Sequence, residues 1–137
     1  QSVKFQSGTG PIQSGDTFYN GDDLYWLSRI IYAESGNQPL DGKIAVGNVV
    51  LNRVASPRFP NSVYEVIFQR NQFTPAANGS INRTPSAESV VAAKLCLDGA
   101  NTAGSALYFV NPTVAPGSGA SRNRPYVATI GAHAFYG

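Results

Sequence analysis

Asp23-Leu24-Tyr25-Trp26-Leu27-Ser28-Arg29-Ile30-Ile31-Tyr32-Ala33-Glu34-Ser35-Gly36 is the stretch whose reading decides the fold. Leu24, Leu27, Ile30 and Ile31 recur at helical spacing and mark one face of a short amphipathic helix for burial. Asp22 or Asp23 can cap its start, because an Asp oxygen accepts from a free first-turn N–H. Gly36 supplies a stop. Glu34 follows Ile31 by three residues and Leu27 by seven, so it falls on the apolar face. Two readings of it stand. Either the helix ends here and Glu34 points into water, or the carboxyl is partly buried and its pKa is raised. In the second case it is a proton donor near neutral pH, of the kind general acid catalysis needs.

On the N-terminal side, residues 1–21 are rich in Gly, Ser, Gln and Thr and read as a linker or an arm. The composition shifts at Asp22, so residues 22–137 are expected to form the domain. On the C-terminal side, Leu40 to Val54 reads as a second, buried helix, apolar on most sides. Asp41, Asn48 and Asn52 share one of its faces. They either line a wet cleft or hold polar loops from inside. Asn61 or Ser62 caps a short helix from Val63 to Phe68. Residues 69–83 have no helical period, and Asn78-Gly79 suggests a loop or hairpin. Thr84-Pro85 is expected to open another helix, with Val90, Val91, the Lys94 stem, Leu95 and Leu97 inward and Gly99 at its end. Ala106 to Asn111 reads as extended, stopped by Pro112. Residues 113–125 read as a loop carrying Arg122 and Arg124. Tyr126 to Tyr136 closes the chain, with Ile130, His133 and Phe135 as contacts.

Composition excludes several classes. With 42% hydrophobic and only 13% charged residues, the 137-residue chain is too apolar for disorder and suits one core. Its surface polarity comes from Asn, Ser, Thr and Gly, which suits glycan partners. A net charge of +2 without any run of Lys or Arg gives nucleic-acid binding little support. It is compatible with an anionic cell wall. One Cys, Cys96, and one His, His133, rule out an internal disulfide and make a Cys/His metal site implausible. No metal or cofactor is expected. No stretch is long enough to span a bilayer. The chain starts at Gln1 without Met or a signal peptide, and so reads as a processed product or a piece of a longer protein.

Elimination narrows the chemistry. A Ser-His-Asp triad would need His133, and no Gly-x-Ser-x-Gly elbow is present. Cys96 lies mid-helix in apolar company, a poor setting for a reactive thiol. No phosphate-cradling Gly-rich loop joins a strand to a helix. Glycosidase chemistry remains, because it needs only carboxylates. The acids are Asp16, Asp22, Asp23, Glu34, Asp41, Glu65, Glu88 and Asp98, and most sit at caps or on helix surfaces. Glu34 alone combines an apolar face with an adjoining Gly-containing turn.

Tyr32-Ala33-Glu34-Ser35-Gly36-Asn37-Gln38-Pro39, Gly42-Lys43-Ile44-Ala45-Val46 and Val49-Val50-Leu51-Asn52-Arg53-Val54 together form a pattern. It continues through Phe59-Pro60-Asn61-Ser62-Val63, Val66-Ile67-Phe68, Gln72-Phe73-Thr74, Ala106-Leu107-Tyr108-Phe109, Asn111-Pro112, Ile130-Gly131, His133 and Phe135. This pattern resembles the catalytic domain of the spore cortex-lytic (SleB-like) cell-wall hydrolases over about residues 23–136. The resemblance implies an α+β, mainly α, lysozyme-like fold related to soluble lytic transglycosylases, acting on peptidoglycan strands. It maps the family's catalytic Glu to Glu34. Where the family commonly has a second Glu, a Gln and a small apolar residue, this chain has Gln38, Lys43 and Asn48.

The implied reaction is cleavage between N-acetylmuramic acid (MurNAc) and N-acetylglucosamine (GlcNAc). Glu34 would protonate the bridging oxygen. Asp41 and Glu65 are the possible second carboxylates, though a helix start and an exposed helix face explain them more simply. A single acid suits lytic transglycosylation, in which Glu34 then takes the proton of the muramic C6 hydroxyl and a 1,6-anhydro ring closes. Ser35, Gln72, Thr74, Tyr108 and Asn111 are the substrate-binding candidates. Ser35 could hold the Glu34 carboxylate or merely end the helix, Tyr108 could be core, and Asn111 could only precede Pro112. His133 is read as structural. Arg122 and Arg124 could meet an acidic stem peptide or remain solvated. The alternatives are muramidase-type hydrolysis, an N-acetylmuramoyl-L-alanine amidase, and a non-catalytic peptidoglycan-binding module. The expected setting is a secreted monomer at a bacterial wall or spore cortex, with a separate wall-binding domain before residue 1.

Overall fold

A computed structural model of the chain describes residues 21–115, 117, 119 and 123–137. Arg122 and the expected arm lie outside these residues, except Gly21, where the first helix begins.

Helix α1 spans Gly21–Ser35. It starts before the Asp pair, so Asp22 and Asp23 lie within its first turn instead of capping it. There they meet the positive end of the helix macrodipole. Leu27, Ile30 and Ile31 are fully buried, as their spacing predicts. Helix α2, Leu40–Ala55, is buried along most of its length and packs against α1. Helix α3, Val63–Ile67, is capped by Ser62, whose Oγ accepts from the Glu65 N–H at 3.1 Å. It buries Val63, Val66 and Ile67.

The structure departs from the sequence reading in the next two segments. Residues 74–78 are not a loop or hairpin but a one-turn helix, α4, Thr74–Asn78. Gly79 ends it at φ 84°, the left-handed conformation a helix stop favours, and a 3-10 turn, Ser80–Asn82, follows. The Asn-Gly pair therefore closes a helix. Helix α5 is Ala87–Leu97, capped by Ser86 and not by Thr84. Its buried face is Ser89, Ala92, Ala93, Cys96 and Leu97. Val91, expected inside, is 48% exposed. The small residues face inward because α5 lies close against α1 and α2. A Cβ on Gly47 of α2 would stand only 2.6 Å from Cys96 Sγ. Gly99 follows the helix as expected. The Ala100 N–H reaches Leu95 O at 2.9 Å and the Gly99 N–H reaches Cys96 O at 3.0 Å, a Schellman closure.

Among the described residues, three antiparallel strands complete the fold in the order β1-β3-β2. β1 is Tyr108–Val110, β2 is Tyr126–Ile130 and β3 is His133–Tyr136. Phe109 pairs with Phe135, and the fully buried Phe135 carries the sheet into the helical core. The class is α+β, mainly helical, as expected.

Asn48 and Asn52 hold a polar loop from inside. Asn48 Nδ2 donates to Ala100 O at 2.8 Å, and its Oδ1 accepts from the Thr102 N–H at 2.8 Å. Asn52 Nδ2 donates to Ala106 O at 2.8 Å. A buried amide that spends both ends on backbone groups is fully satisfied.

Candidate active site

Glu34 lies in the last turn of α1, on the edge of the buried face. It is partly buried and opens onto a cleft of about 450 Å³. Tyr32, Ala33, Gly36, Asn37, Ser80 and Arg83 line that cleft with it. Burial raises the Glu34 carboxyl from its ordinary 4.5 to about 7. Near neutral pH it therefore exists in both protonation states, as a group that gives and then takes a proton must. No other carboxylate lines the cleft among the described residues. Asp41 is exposed in the first turn of α2. Glu65 is exposed on α3 and accepts from Ser62 Oγ at 3.1 Å.

The expected binding residues fall differently. Ser35 is fully buried and donates to Ile31 O at 2.7 Å, so it neither holds Glu34 nor faces the cleft. Gln72 and Tyr108 gather around Arg53, which the sequence reading had not singled out. Arg53 is 4% exposed, yet among the described residues no carboxylate pairs with it. Its Nε donates to Leu107 O at 2.8 Å and its Nη1 to Gln72 Oε1 at 3.0 Å. Its guanidinium stands 4.7, 5.3 and 5.2 Å from the rings of Phe59, Phe73 and Tyr108. Burial lowers its pKa, opposed by Tyr108. Arg124 also stacks on Tyr108, at 4.8 Å, and donates to its hydroxyl at 3.2 Å, so it is not simply a solvated loop residue. Thr74 is exposed at the start of α4. Asn111 Oδ1 accepts from the Thr113 N–H at 3.0 Å and shapes the turn after β1. None of these five residues lines the Glu34 cleft among the described residues.

Two of the departures from the family pattern form one unit. Lys43 Nζ donates to Gln38 O and pairs with Glu88 Oε1 at 2.7 Å. Gln38 Oε1 accepts from the Ala132 N–H at 2.9 Å. The turn after Glu34 is thereby tied to both α5 and the β2–β3 turn. Gly131 completes that tie. It sits at φ 58°, and any side chain there would run into Gln38 Oε1.

The remaining titratable candidates are structural. Cys96 is buried and its thiol is pushed up to about 12 by burial. His133 packs edge-on against Phe109, with ring centroids 5.2 Å apart, and burial lowers its pKa. Among the described residues no three His, Cys, Asp or Glu side chains gather as metal ligands would. No helix there is long and apolar enough to cross a membrane.

Ser80 and Arg83 were missed because only the folded chain brings the 3-10 turn to the end of α1. Their segment carries no periodic signal to announce it.

A family model described as Cell Wall Hydrolase matches residues 37–136, beginning just past Glu34. The spore cortex-lytic enzyme of Bacillus cereus (strain ATCC 14579) is 38% identical over 133 residues, covering 95% of this chain and 51% of that protein. The spore cortex-lytic enzyme of Bacillus subtilis (strain 168) is 36% identical over 117 residues, covering 85% and 38%. The chain thus spans roughly a third to a half of the curated relatives it matches. Among solved structures, the catalytic domain of the germination-specific lytic transglycosylase SleB from Bacillus anthracis matches with a TM-score of 0.80. The two are 38% identical, and the match covers 87% of this chain and 97% of that one. The catalytic domain of Bacillus cereus SleB matches with the same TM-score. The fold is the lysozyme-like α+β fold of these domains.

Proposed function

The chain belongs to the cell wall hydrolase family, and from that premise we propose that it is a peptidoglycan lytic transglycosylase with Glu34 as its acid and base. One observation carries the reading: a carboxyl raised to about 7 opens onto a cleft with no second carboxylate among the described lining residues. A retaining glycosidase needs a nucleophilic carboxylate about 5 Å from its acid, and an inverting one needs a base roughly 6.5–9.5 Å away. A transglycosylase needs one group that works twice.

In the proposed reaction, protonated Glu34 donates to the oxygen bridging MurNAc and GlcNAc. The C1–O bond breaks and the muramic ring carries oxocarbenium character. Glu34, now ionised, accepts the proton of the muramic C6 hydroxyl. That oxygen attacks C1, and a 1,6-anhydro ring closes. The acid form is restored without water entering the balance. Burial favours both steps, because it leaves a protonated fraction near neutral pH, makes the ionised form a stronger base and strengthens its interaction with developing positive charge.

The likeness to spore cortex-lytic enzymes supports a wall or cortex substrate outside the cytoplasm. Residues 22–137 are proposed as the catalytic domain, acting as a monomer. A separate wall-binding domain is proposed to accompany it, since the curated relatives are longer. Gln72, Thr74, Tyr108 and Asn111 are kept as contacts for the glycan beyond the Glu34 cleft.

The test is mass spectrometry of fragments released from purified peptidoglycan by the wild-type protein and by Glu34→Gln. Anhydromuramic ends are expected from wild type. The variant should lose them by a factor of about 10²–10⁴, the usual worth of a general acid–base. Reducing muramic ends would instead mean that water is the acceptor. Free stem peptides would make the protein an amidase, and wall binding without release would make it a binding module.

A further inference from the structure

Among the described residues that line the Glu34 cleft, Arg83 is the one cation. Arg83 follows the 3-10 turn and is exposed. Among the described residues no carboxylate pairs with it, and none of its guanidinium nitrogens makes a hydrogen bond. Other arginines here are engaged: Arg53 with Leu107 O and Gln72, Arg124 with Tyr108, and Arg29 stacked 3.9 Å over the Tyr25 ring. Nor does Arg83 form an ion pair with the acid that shares its cleft. The charge therefore stands at the wall of the cleft that Glu34 shares.

A guanidinium is always charged and presents a planar fork matched to a carboxylate. Beside it, Ser80 and Asn37 offer neutral polar groups to the same cleft. We propose that Arg83 forms a carboxylate subsite, which reads the acidic substituent carried by the muramic unit placed against Glu34. The inference rests on the reading of the substrate as peptidoglycan. In that polymer the carboxylate has two sources: the lactyl group of a muramic unit without peptide, or an acidic residue of the stem peptide. The arrangement divides the work. Arg83 holds a permanent anion away from Glu34, so the anion's field does not act on the general acid unopposed.

Three soluble glycan substrates test this: strands with intact stem peptides, strands with the peptides removed and the lactyl carboxylate free, and strands whose carboxylates have been amidated. Wild type is expected to prefer an acidic substrate over the amidated one through KM. In Arg83→Gln that preference should shrink about three- to tenfold, and Arg83→Lys should restore part of it. Whichever acidic substrate loses the preference identifies the source of the carboxylate. The preference should also weaken with added salt.

Binding is measured in parallel, with fragments of the same three substrates titrated into Glu34→Gln and into Glu34→Gln/Arg83→Gln. This readout does not depend on turnover. If wild type forms no anhydro ends but the affinity difference persists, the transglycosylase reading fails and the subsite stands. If the two proteins bind acidic and amidated fragments with the same ratio, the subsite is wrong whatever the reaction. Arg83 is exposed, so neither substitution should affect folding.

Discussion

A carboxyl that burial holds at about 7 is a liability to the fold whenever it ionises. The folded-state pKa of Glu34 lies above its ordinary 4.5, so the native state binds the proton more tightly than the unfolded chain does. Its favourable contribution is complete below about 4.5 and is lost as pH rises through about 7. Glu34→Gln mimics the protonated form at every pH. The variant should therefore be more stable than wild type at pH 8, by something on the order of 1–3 kcal/mol, with a much smaller gain at pH 5. Thermal melts of both proteins at the two pH values check this. A gain that did not grow with pH would mean that Glu34 is not desolvated. Activity should fall along the same titration, as the acid form is lost above about pH 7. The stability sacrificed at this residue is the expected counterpart of its chemistry.

Elements show how misleading the largest hydrophobes can be. On α5 the sequence offers Val90, Val91, Leu95 and Leu97; Leu97 is buried and Leu95 packs against the core, but Val91 is exposed and the rest of the buried face is Ser89, Ala92, Ala93 and Cys96. Both sets have helical spacing, and periodicity alone cannot rank them. Close approach to α2 decides, because Gly47 leaves no room between Cys96 and Ile31 for even a methyl group. Gly47→Ala should therefore destabilise the protein by about 1–3 kcal/mol through overpacking. Adding Cys96→Ala should recover part of that loss, since the two sites touch and their effects cannot be additive. Val91→Gln should change stability by no more than about 0.5 kcal/mol, as an exposed position allows. Denaturant unfolding of the four proteins separates these outcomes. A large cost at Val91 would restore the face read from the sequence. α4 was illegible for another reason, because one turn of helix is too short to show a period.

At the scale of the whole molecule, polar side chains of α2 act as ties between distant segments. Lys43 reaches Gln38 O and Glu88, Asn48 and Asn52 hold residues 100–106, and Arg53 joins Gln72 to Leu107. All of these ties lie within residues 21–137. A protein beginning at Gly21 should therefore still unfold cooperatively and release the same wall fragments as the longer chain. Loss of cooperative unfolding on that truncation would mean that the preceding residues complete the core.

Much was legible beforehand because it rests on local rules. The α1 stripe, the length of α2, the Ser62 cap and the placing of Glu34 on a buried edge follow from spacing and capping alone. The motif likeness added the family and the fold. Tertiary structure alone decided which groups share a site. Ser35 turned inward because its hydroxyl satisfies Ile31 O, Gln72 and Tyr108 were drawn to Arg53, and Ser80 and Arg83 came to the Glu34 cleft. The physical reason is one of range. Capping and periodicity act within a few residues and can be read along the chain. The raised pKa of Glu34, the burial of Arg53 and the open charge of Arg83 depend on what packs beside them from far away in sequence, and desolvation exists only once that packing has formed.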